Sequence, residues 1–308
     1  MNFFKRQRSQ KKTGIPREAE NDVPDLLKKI RTLEIKSRRL SNHLFTGEYH
    51  TAFKGRGMAF KEVREYQAGD DVRFIDWNTS ARMGNTFSKI FEEERELSVY
   101  MMVDVSASNL FGTKGQRKSD LIAEISAVLA FAAINNNDNA GLILFSDKVE
   151  KYIPARKGRD HVLYMIRELI THQAHSAQTE IVKALQYLNN VTRRKSIVFI
   201  LSDFADTGYH DSLKVAAKRH DVIGIQIYDP GDAQLPPVGL IEMKDAETGK
   251  TVLIDSSDPF ARNRYYLQFM KILEDAKIDF RTGGADLIQI ANGEDYVKKL
   301  REFFIRRA

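Results

Sequence analysis

Hydrophobic and polar residues follow two different periods along this chain. Beyond residue 96, near-continuous apolar runs alternate with longer segments in which apolar residues recur every three or four positions. The runs predict β-strands over 98–105, 141–145, 196–201 and 222–228, with a shorter candidate over 278–281. The spaced segments predict helices over 119–135, 160–171, 180–189, 211–219, 259–276 and 294–306.

This alternation of strand and helix predicts an α/β fold. Strands that are apolar along their whole length are buried from both sides, and a parallel sheet covered by helices provides that burial. We therefore expect a doubly wound, mainly parallel, Rossmann-like sheet over residues 96–308. In such a sheet, ligands bind outside the carboxyl ends of the strands, where the strand order reverses.

The chain before residue 96 has a different pattern. Residues 1–21 are polar and basic without a hydrophobic period, which predicts a flexible arm. From Pro24 onward, leucine and isoleucine at helical spacing predict an amphipathic helix. Short segments between glycines then predict a small β-rich subdomain, so that the helix and this subdomain together occupy residues 22–95.

Three short strands are expected within the subdomain and a hairpin is expected near the end of the chain. The subdomain strands are predicted over 60–66, 72–77 and 87–91. The hairpin is predicted over 240–254, where Thr248-Gly249-Lys250 forms a turn between two apolar runs.

Composition narrows the chemistry and the compartment. The chain contains no cysteine, which excludes disulfides, thiolate nucleophiles and cysteine-ligated zinc or iron–sulfur sites. No apolar run approaches the ~20 residues that cross a bilayer. Both features favour the cytoplasm.

Positive charge is concentrated at the start of the sequence. Residues 1–40 hold 12 Lys and Arg against 5 Asp and Glu, in a chain whose formal net charge is +6. The remainder is close to neutral and has no basic stripe interleaved with aromatic residues, so no nucleic-acid partner is expected. The basic arm could make a weak contact with an anionic membrane surface.

The first predicted strand of the α/β region ends on oxygen-bearing side chains. Asp104, Ser106 and Ser108 follow the apolar run at alternating positions, so an extended loop would turn all of them the same way. A carboxylate and hydroxyls are hard ligands that suit Mg²⁺ or Mn²⁺. Thr179, before a predicted helix, and Asp203, after a predicted strand, could complete the set. The alternative is a turn whose hydroxyls cap the following helix.

Two other polar clusters could bind a ligand or stabilise the fold. His172 and His175 could face one side of a helix end and bind zinc, although the sequence indicates no third ligand. Six charged residues could form a network around Tyr66 and Trp77, and such dense charge favours a structural role, locking the subdomain onto its neighbour, over ligand binding. These six are Arg64, Asp70, Asp71, Arg73, Asp76 and Arg82.

The oxygen-bearing positions resemble the metal-ion-dependent adhesion site of von Willebrand factor A domains. That pattern is Asp-x-Ser-x-Ser with a distant Thr and a distant Asp, and the matching residues are Asp104, Ser106, Ser108, Thr179 and Asp203. The resemblance implies a bound divalent ion whose shell is completed by an acidic residue of a partner protein. The chain departs from the pattern at Ala177-Gln178, where Gly-Gly is usual, and at Phe204, where Gly is common.

The preceding segment is similar to the signature of the bacterial domain-of-unknown-function family 58. The similar stretch contains Arg64-Glu-Tyr-Gln-Ala-Gly-Asp-Asp-Val-Arg-Phe-Ile-Asp-Trp77, followed by Ser80-Ala-Arg82 and then Asp104-Val-Ser-Ala-Ser108. The resemblance implies an adaptor or co-chaperone that works with a MoxR-type AAA+ ATPase or with other von Willebrand factor A proteins.

An enzymatic alternative is a Mg²⁺-dependent phosphatase-like hydrolase. An Asp after an apolar strand is also similar to the nucleophile of haloacid dehalogenase-type phosphatases, and Asp104 would take that role. Those enzymes use a second Asp two residues later as the general acid, where this chain has Ser106. A hydroxyl of ordinary pKa cannot replace a carboxylic acid near neutral pH. We find no complete catalytic constellation, so a binding module is favoured over an enzyme.

Overall fold

The structure is a computed structural model that describes residues 22–44, 58–93, 97–106, 108, 117–244 and 251–307. The predicted basic arm lies outside these residues. The described helices are α1 Asp22–Leu44, α2 Trp77–Met83, α3 Lys118–Asn135, α4 Arg159–Thr171, α5 Ile181–Val191, α6 His210–Arg219, α7 Pro259–Gly283 and α8 Tyr296–Arg307. The described strands are β1 Met58–Glu65, β2 Phe87–Glu93, β3 Ser98–Asp104, β4 Asn139–Phe145, β5 Val149–Arg156, β6 Ile197–Ser202, β7 Asp221–Tyr228, β8 Leu240–Lys244, β9 Thr251–Asp255 and β10 Asp286–Ala291.

Six of the described strands form the central sheet, in the order β10-β7-β6-β3-β4-β5. All neighbours run parallel except β5, which pairs antiparallel with β4 at one edge. Strands β3, β4 and β6 are buried along nearly their whole length. The doubly wound, mainly parallel α/β fold predicted from the apolar runs is confirmed.

Helices cover both faces of this sheet. One core joins the sheet to α1, α3, α4 and α8, and a second core joins the opposite face to α5, α6 and α7. Helix α3 is buried on nearly every side, because the sheet covers one face and α1 packs against another. Its uniformly apolar sequence, without a clear polar face, is typical of a helix in this position.

The amino ends of two strands are tied together by the last described residue. Arg307, at the end of α8, pairs with Asp221 at the start of β7 and lies 3.2 Å from the carboxylate of Asp286 at the start of β10.

Among the helices that the structure describes, none is both long enough and apolar enough to cross a membrane.

Two of the strand predictions are wrong. Residues 278–281 belong to α7, because its buried face, formed by Leu273, Ala276 and Phe280, keeps a helical period up to the left-handed Gly284. Residues 72–77 form a short 3₁₀ helix and the start of α2 instead of a strand. Two aspartates cause this change: Asp71 accepts a hydrogen bond from the Arg73 N–H, and Asp76 accepts from two N–H groups of α2.

Strands β5 and β10 were missed, and the one predicted hairpin is present. Only Ile153 of β5 is fully buried, so this edge strand lacks the continuous apolar run of the central strands. Strands β1 and β2 pair antiparallel, as do β8 and β9, which confirms the hairpin near the end of the chain. The predicted turn of that hairpin, residues 248–250, lies outside the described residues.

The charged residues of the subdomain pair locally. Arg64 bonds Asp70 at 2.8 Å, Arg73 bonds Asp71 at 2.6 Å, and the carboxylate of Asp76 caps α2. The Tyr66 hydroxyl donates to the Asp70 carbonyl at 3.2 Å, but Trp77 is 70% exposed. These contacts lie within the subdomain and fit a structural role there, while locking of the subdomain onto its neighbour stays a prediction. The prediction of packing around Trp77 is wrong because α2 turns that ring to solvent.

Candidate metal centre

The centre lies where the order of the strands reverses. From β3 the chain continues to β4 on one side, while β6 and β7 extend the sheet on the other. The parallel register pairs Val103 with Leu201, so Asp104 and Ser202, the next residues on each strand, are neighbours at the carboxyl edge. This is the position at which open α/β sheets bind ligands.

Asp104 is the most buried carboxylate of the centre, with 1% of its surface exposed. Its Oδ1 accepts the backbone N–H of Ser106 at 2.9 Å. Its Oδ2 accepts the hydroxyl of Ser202 at 2.7 Å and is 3.4 Å from the hydroxyl oxygen of Thr179. Thr179 arrives from the loop before α5, so one carboxylate gathers donors from three separate segments of the chain.

Four of the five residues predicted as metal ligands are linked by direct contacts. The hydroxyl oxygens of Ser106 and Ser108 are 3.1 Å apart, and Ser106 is fully buried. Thr179 contacts Asp104 directly. The remaining residue, Asp203, follows β6 and is near enough for its charge to act on Asp104.

The pKa of Asp104 is raised from 3.8 to about 6. Burial of the carboxyl group is the largest cause, the negative charge of Asp203 adds to it, and hydrogen bonds from Ser106 and Ser202 oppose it. A buried carboxylate beside a second carboxylate is an environment that a divalent cation would stabilise. Carboxylate and hydroxyl oxygens are also the donor set that Mg²⁺ and Mn²⁺ prefer, so the residues present fit such an ion.

Lys118 is a neighbour that the sequence did not indicate. Only 5% of its side chain is exposed, and its ammonium nitrogen lies 3.6 Å from Asp203 Oδ2 and 3.3 Å from Asp232 Oδ2. Lys118 is the first residue of α3, and Asp232 lies in a short 3₁₀ helix after β7. The ammonium group is therefore shared by the carboxylates of Asp203 and Asp232. Ser202 was missed as well, since no motif distinguishes a serine at the end of a strand.

A cavity of about 510 Å³ opens beside the centre. Asp104 and Ser106 line it, together with residues of the loop after α4 that include His172 and His175. A ligand in this space could reach an ion held by Asp104. The arrangement can therefore bind a cation and present it to an incoming anionic group.

Two solved structures align with the chain at low sequence identity. The conserved hypothetical protein BatB from Bacteroides thetaiotaomicron aligns with a TM-score of 0.46 and 15% identity, over 68% of this chain and 98% of that one. The VWA domain of SpRpn10 aligns with a TM-score of 0.38 and 9% identity, over 67% of this chain and 93% of that one.

Sequence comparison identifies the family. The uncharacterized protein Rv1480 of Mycobacterium tuberculosis is 30% identical over 289 residues, which is 93% of this chain and 91% of that protein. A family model described as "Protein of unknown function DUF58" matches residues 62–271. Since this match covers more than half of the chain, the protein belongs to the DUF58 family.

Proposed function

We propose that this protein is a metal-dependent binding module in which Mg²⁺ or Mn²⁺ bound at Asp104 recruits a carboxylate of another protein. The observation that carries the proposal is the convergence of oxygen donors from separate segments on one buried carboxylate. The ligands that we propose are the side chains of Asp104, Ser106, Ser108, Thr179 and Asp203. A bound ion would supply a positively charged Lewis-acidic centre at the carboxyl edge of the sheet.

The ligand set of the centre favours an anionic partner. Ser106, Ser108 and Thr179 offer neutral hydroxyls, and one of the two carboxylates, Asp203, shares the ammonium group of Lys118 with Asp232. The five proposed ligands would therefore supply few oxygens with full negative charge to a divalent ion. A Glu or Asp side chain of a partner would add a charged oxygen ligand and could enter through the adjacent cavity.

The partner and the compartment that we propose rest on features of the sequence. Resemblance to the family-58 signature makes a MoxR-type AAA+ ATPase the first partner to test, with other von Willebrand factor A proteins next, and an adaptor or co-chaperone role follows from either. The absence of cysteine supports a cytoplasmic location.

Binding is favoured over hydrolysis, because Ser106 stands where a phosphatase of the haloacid dehalogenase type has its general acid.

The proposal is tested by measuring thermal and chemical stability with Mg²⁺ and with a chelator. An ion present at about 100 times its dissociation constant should stabilise the wild type by about 2.7 kcal/mol. The variant Asp104→Asn should gain nothing from Mg²⁺. In chelator it should be at least as stable as the wild type, because the substitution removes a buried charge that is costly without an ion.

The matched control is Asp211→Asn, which removes a fully exposed carboxylate from α6. Mg²⁺ should stabilise Asp211→Asn as much as the wild type. Asp211→Asn and the wild type should also recover the same partner proteins from a bacterial lysate, whereas Asp104→Asn should recover none of these partners. Equal stability of the wild type with Mg²⁺ and with chelator, together with unchanged partner recovery by Asp104→Asn, would contradict the proposal.

A further inference from the structure

A second group of potential ligands includes two histidines that line the same cavity as Asp104. Glu150 is in the edge strand β5, and His172 and His175 are in the loop that follows α4. The Nε2 atom of His172 is 2.5 Å from Glu150 Oε2, and the Nδ1 atom of His175 is 3.0 Å from the same oxygen. The third ligand that the sequence did not reveal is thus supplied by a residue more than twenty positions earlier in the chain.

Glu150 is held in position as a carboxylate. Its side chain has no exposed surface, and Ser146 Oγ donates to its Oε1 at 2.5 Å, while the backbone N–H of His175 donates to both carboxylate oxygens at 3.1 Å. Burial by itself would raise the pKa of Glu150, but the hydrogen bonds from Ser146, His175 and His172 lower it to about 2. The carboxylate is oriented by neighbouring donors, as the carboxylate ligands of metals commonly are.

The three groups are close to the spacing that a tetrahedral metal ion requires. The ligand atoms of Glu150, His172 and His175 all lie within 4.8 Å of one another. Zn²⁺ binds such atoms at about 2.0–2.2 Å, which separates neighbouring ligand atoms by roughly 3.3–3.5 Å. His175 is 70% exposed, so its ring is free to make the small rotation that brings its nitrogen into this range.

We propose that Glu150, His172 and His175 form a Zn²⁺ site that is separate from the Asp104 centre. Two imidazoles and a carboxylate are a ligand set that suits Zn²⁺ and leaves the fourth tetrahedral position open. Because a carboxylate can only accept, both histidine nitrogens donate a proton to Glu150 in the ion-free structure. Zn²⁺ takes the place of these protons, which move to the other ring nitrogen or to solvent.

The proposed zinc site borders a cavity. His172 and His175 line the cavity of about 510 Å³ that Asp104 and Ser106 also line. A water molecule or an anionic ligand in this cavity completes the zinc coordination. The site does not depend on the proposed Mg²⁺ or Mn²⁺ ion, since the two sets of ligands share no residue.

The test is a calorimetric titration of the full-length protein with Zn²⁺ in the presence of excess Mg²⁺. The wild type should bind one Zn²⁺, and His172→Gln combined with His175→Gln should weaken this binding by at least ~100-fold, beyond the ~10–100-fold that loss of an outer-shell partner costs. The variant Glu150→Gln should weaken it as well. Asp104→Asn should bind Zn²⁺ as the wild type does, which separates this site from the proposed function.

The matched control is His210→Gln, which removes a histidine at the start of α6 and should leave Zn²⁺ binding unchanged. Two measurements on the wild type do not depend on whether a variant folds. In NMR spectra, Zn²⁺ should shift the imidazole nitrogen resonances of His172 and His175. Co²⁺ bound in place of Zn²⁺ should give the visible absorption of a tetrahedral site. The proposal is overturned if the wild type binds Zn²⁺ no more tightly than the double variant, or if Zn²⁺ binding is lost only with Asp104→Asn.

Discussion

At the scale of one residue, the buried ring of Phe204 holds the backbone that follows Asp203 of the candidate centre. Its φ of 54° lies in the left-handed region, which favours glycine and costs other residues ~1–2 kcal/mol. Its ring is only 3% exposed and packs edge-on against Phe280 with centroids 4.9 Å apart, while its N–H donates to the Ser202 hydroxyl at 3.1 Å. Ring burial therefore compensates a strained backbone immediately after Asp203.

Replacing Phe204 by Gly and by Ala separates the two effects. Both variants lose the buried ring, which should cost ~3–5 kcal/mol in the free energy of unfolding. Phe204→Gly should nevertheless be more stable than Phe204→Ala by about 1 kcal/mol, because only alanine keeps the left-handed strain. Chemical denaturation followed by circular dichroism measures both values.

The order of these two variants is the informative result. At a position with ordinary backbone angles, alanine is favoured over glycine through the entropy of the unfolded chain. If Phe204→Ala proves the more stable variant, the left-handed conformation at this position is not present in solution.

At the scale of elements, the junction of α6 and β7 contains a buried titratable group. His220 follows α6, donates its N–H to the Ala216 carbonyl at 2.8 Å and is 2% exposed. Neither ring nitrogen has a hydrogen-bond partner among the described residues. Burial, with a smaller contribution from the charge of Arg219, lowers the pKa of His220 from 6.5 to about 4.

This junction should lose stability in mild acid. The pKa of His220 is 6.5 in the unfolded chain and about 4 in the folded chain. The folded state therefore keeps its full stability above pH 6.5 and loses stability as the pH falls from 6.5 to 4, because only the unfolded chain binds a proton in that range. At ~1.4 kcal/mol per pKa unit, the loss reaches about 3 kcal/mol. His220→Phe, which does not titrate, should lose less stability than the wild type between pH 6.5 and pH 4 in urea denaturation. Equal losses would show that His220 is solvated.

The elements also show which parts of the fold can be predicted from sequence. The central strands were predictable because burial on both faces requires continuous apolar runs, as in Ile197–Ser202. Strands β5 and β10 and the end of α7 were not, since these edge strands are only partly buried and residues 278–281 carry an apolar pattern that short strands and helices share.

The residues of the candidate centre also differ in whether they can be predicted from sequence. Asp104, Ser106 and Ser108 are visible as a local motif, whereas Thr179 and Asp203 were indicated by their places beside predicted elements and then matched by the pattern of a known family. Lys118, Ser202 and Glu150 reach their sites only through tertiary contacts with distant segments. A residue without a local motif gives no signal in a single sequence, however important its contact is.

At the scale of the whole molecule, α1 is joined to the α/β body. Leu33 is 9% exposed and belongs to the core that includes α3, while Glu34 pairs with Arg159 at the start of α4. Lys36 and the hydroxyl of Tyr296 both contact Glu124 of α3, which links α1, α3 and α8. These contacts indicate that α1 unfolds together with the body.

Leu33→Ala tests this cooperativity. Loss of the buried side chain should lower the free energy of unfolding by about 2–5 kcal/mol in a single transition. The matched control is Ile35→Ala on the same helix, where the side chain is 63% exposed and the change should stay within about 0.5 kcal/mol. Equal effects of the two substitutions, or a separate early transition for α1, would show that the helix is not part of the cooperative unit.

The position of Arg307 has a practical consequence for binding measurements. Its pairs with Asp221 and Asp286 put the end of α8 at the amino ends of the strands, whereas Asp104 and Ser202 lie at their carboxyl ends. A biotin attached after α8 would therefore anchor the protein to a sensor chip with the candidate centre turned toward the flowing analyte. Immobilisation through α8 in this orientation would allow partner candidates to be screened without blocking the surface under study.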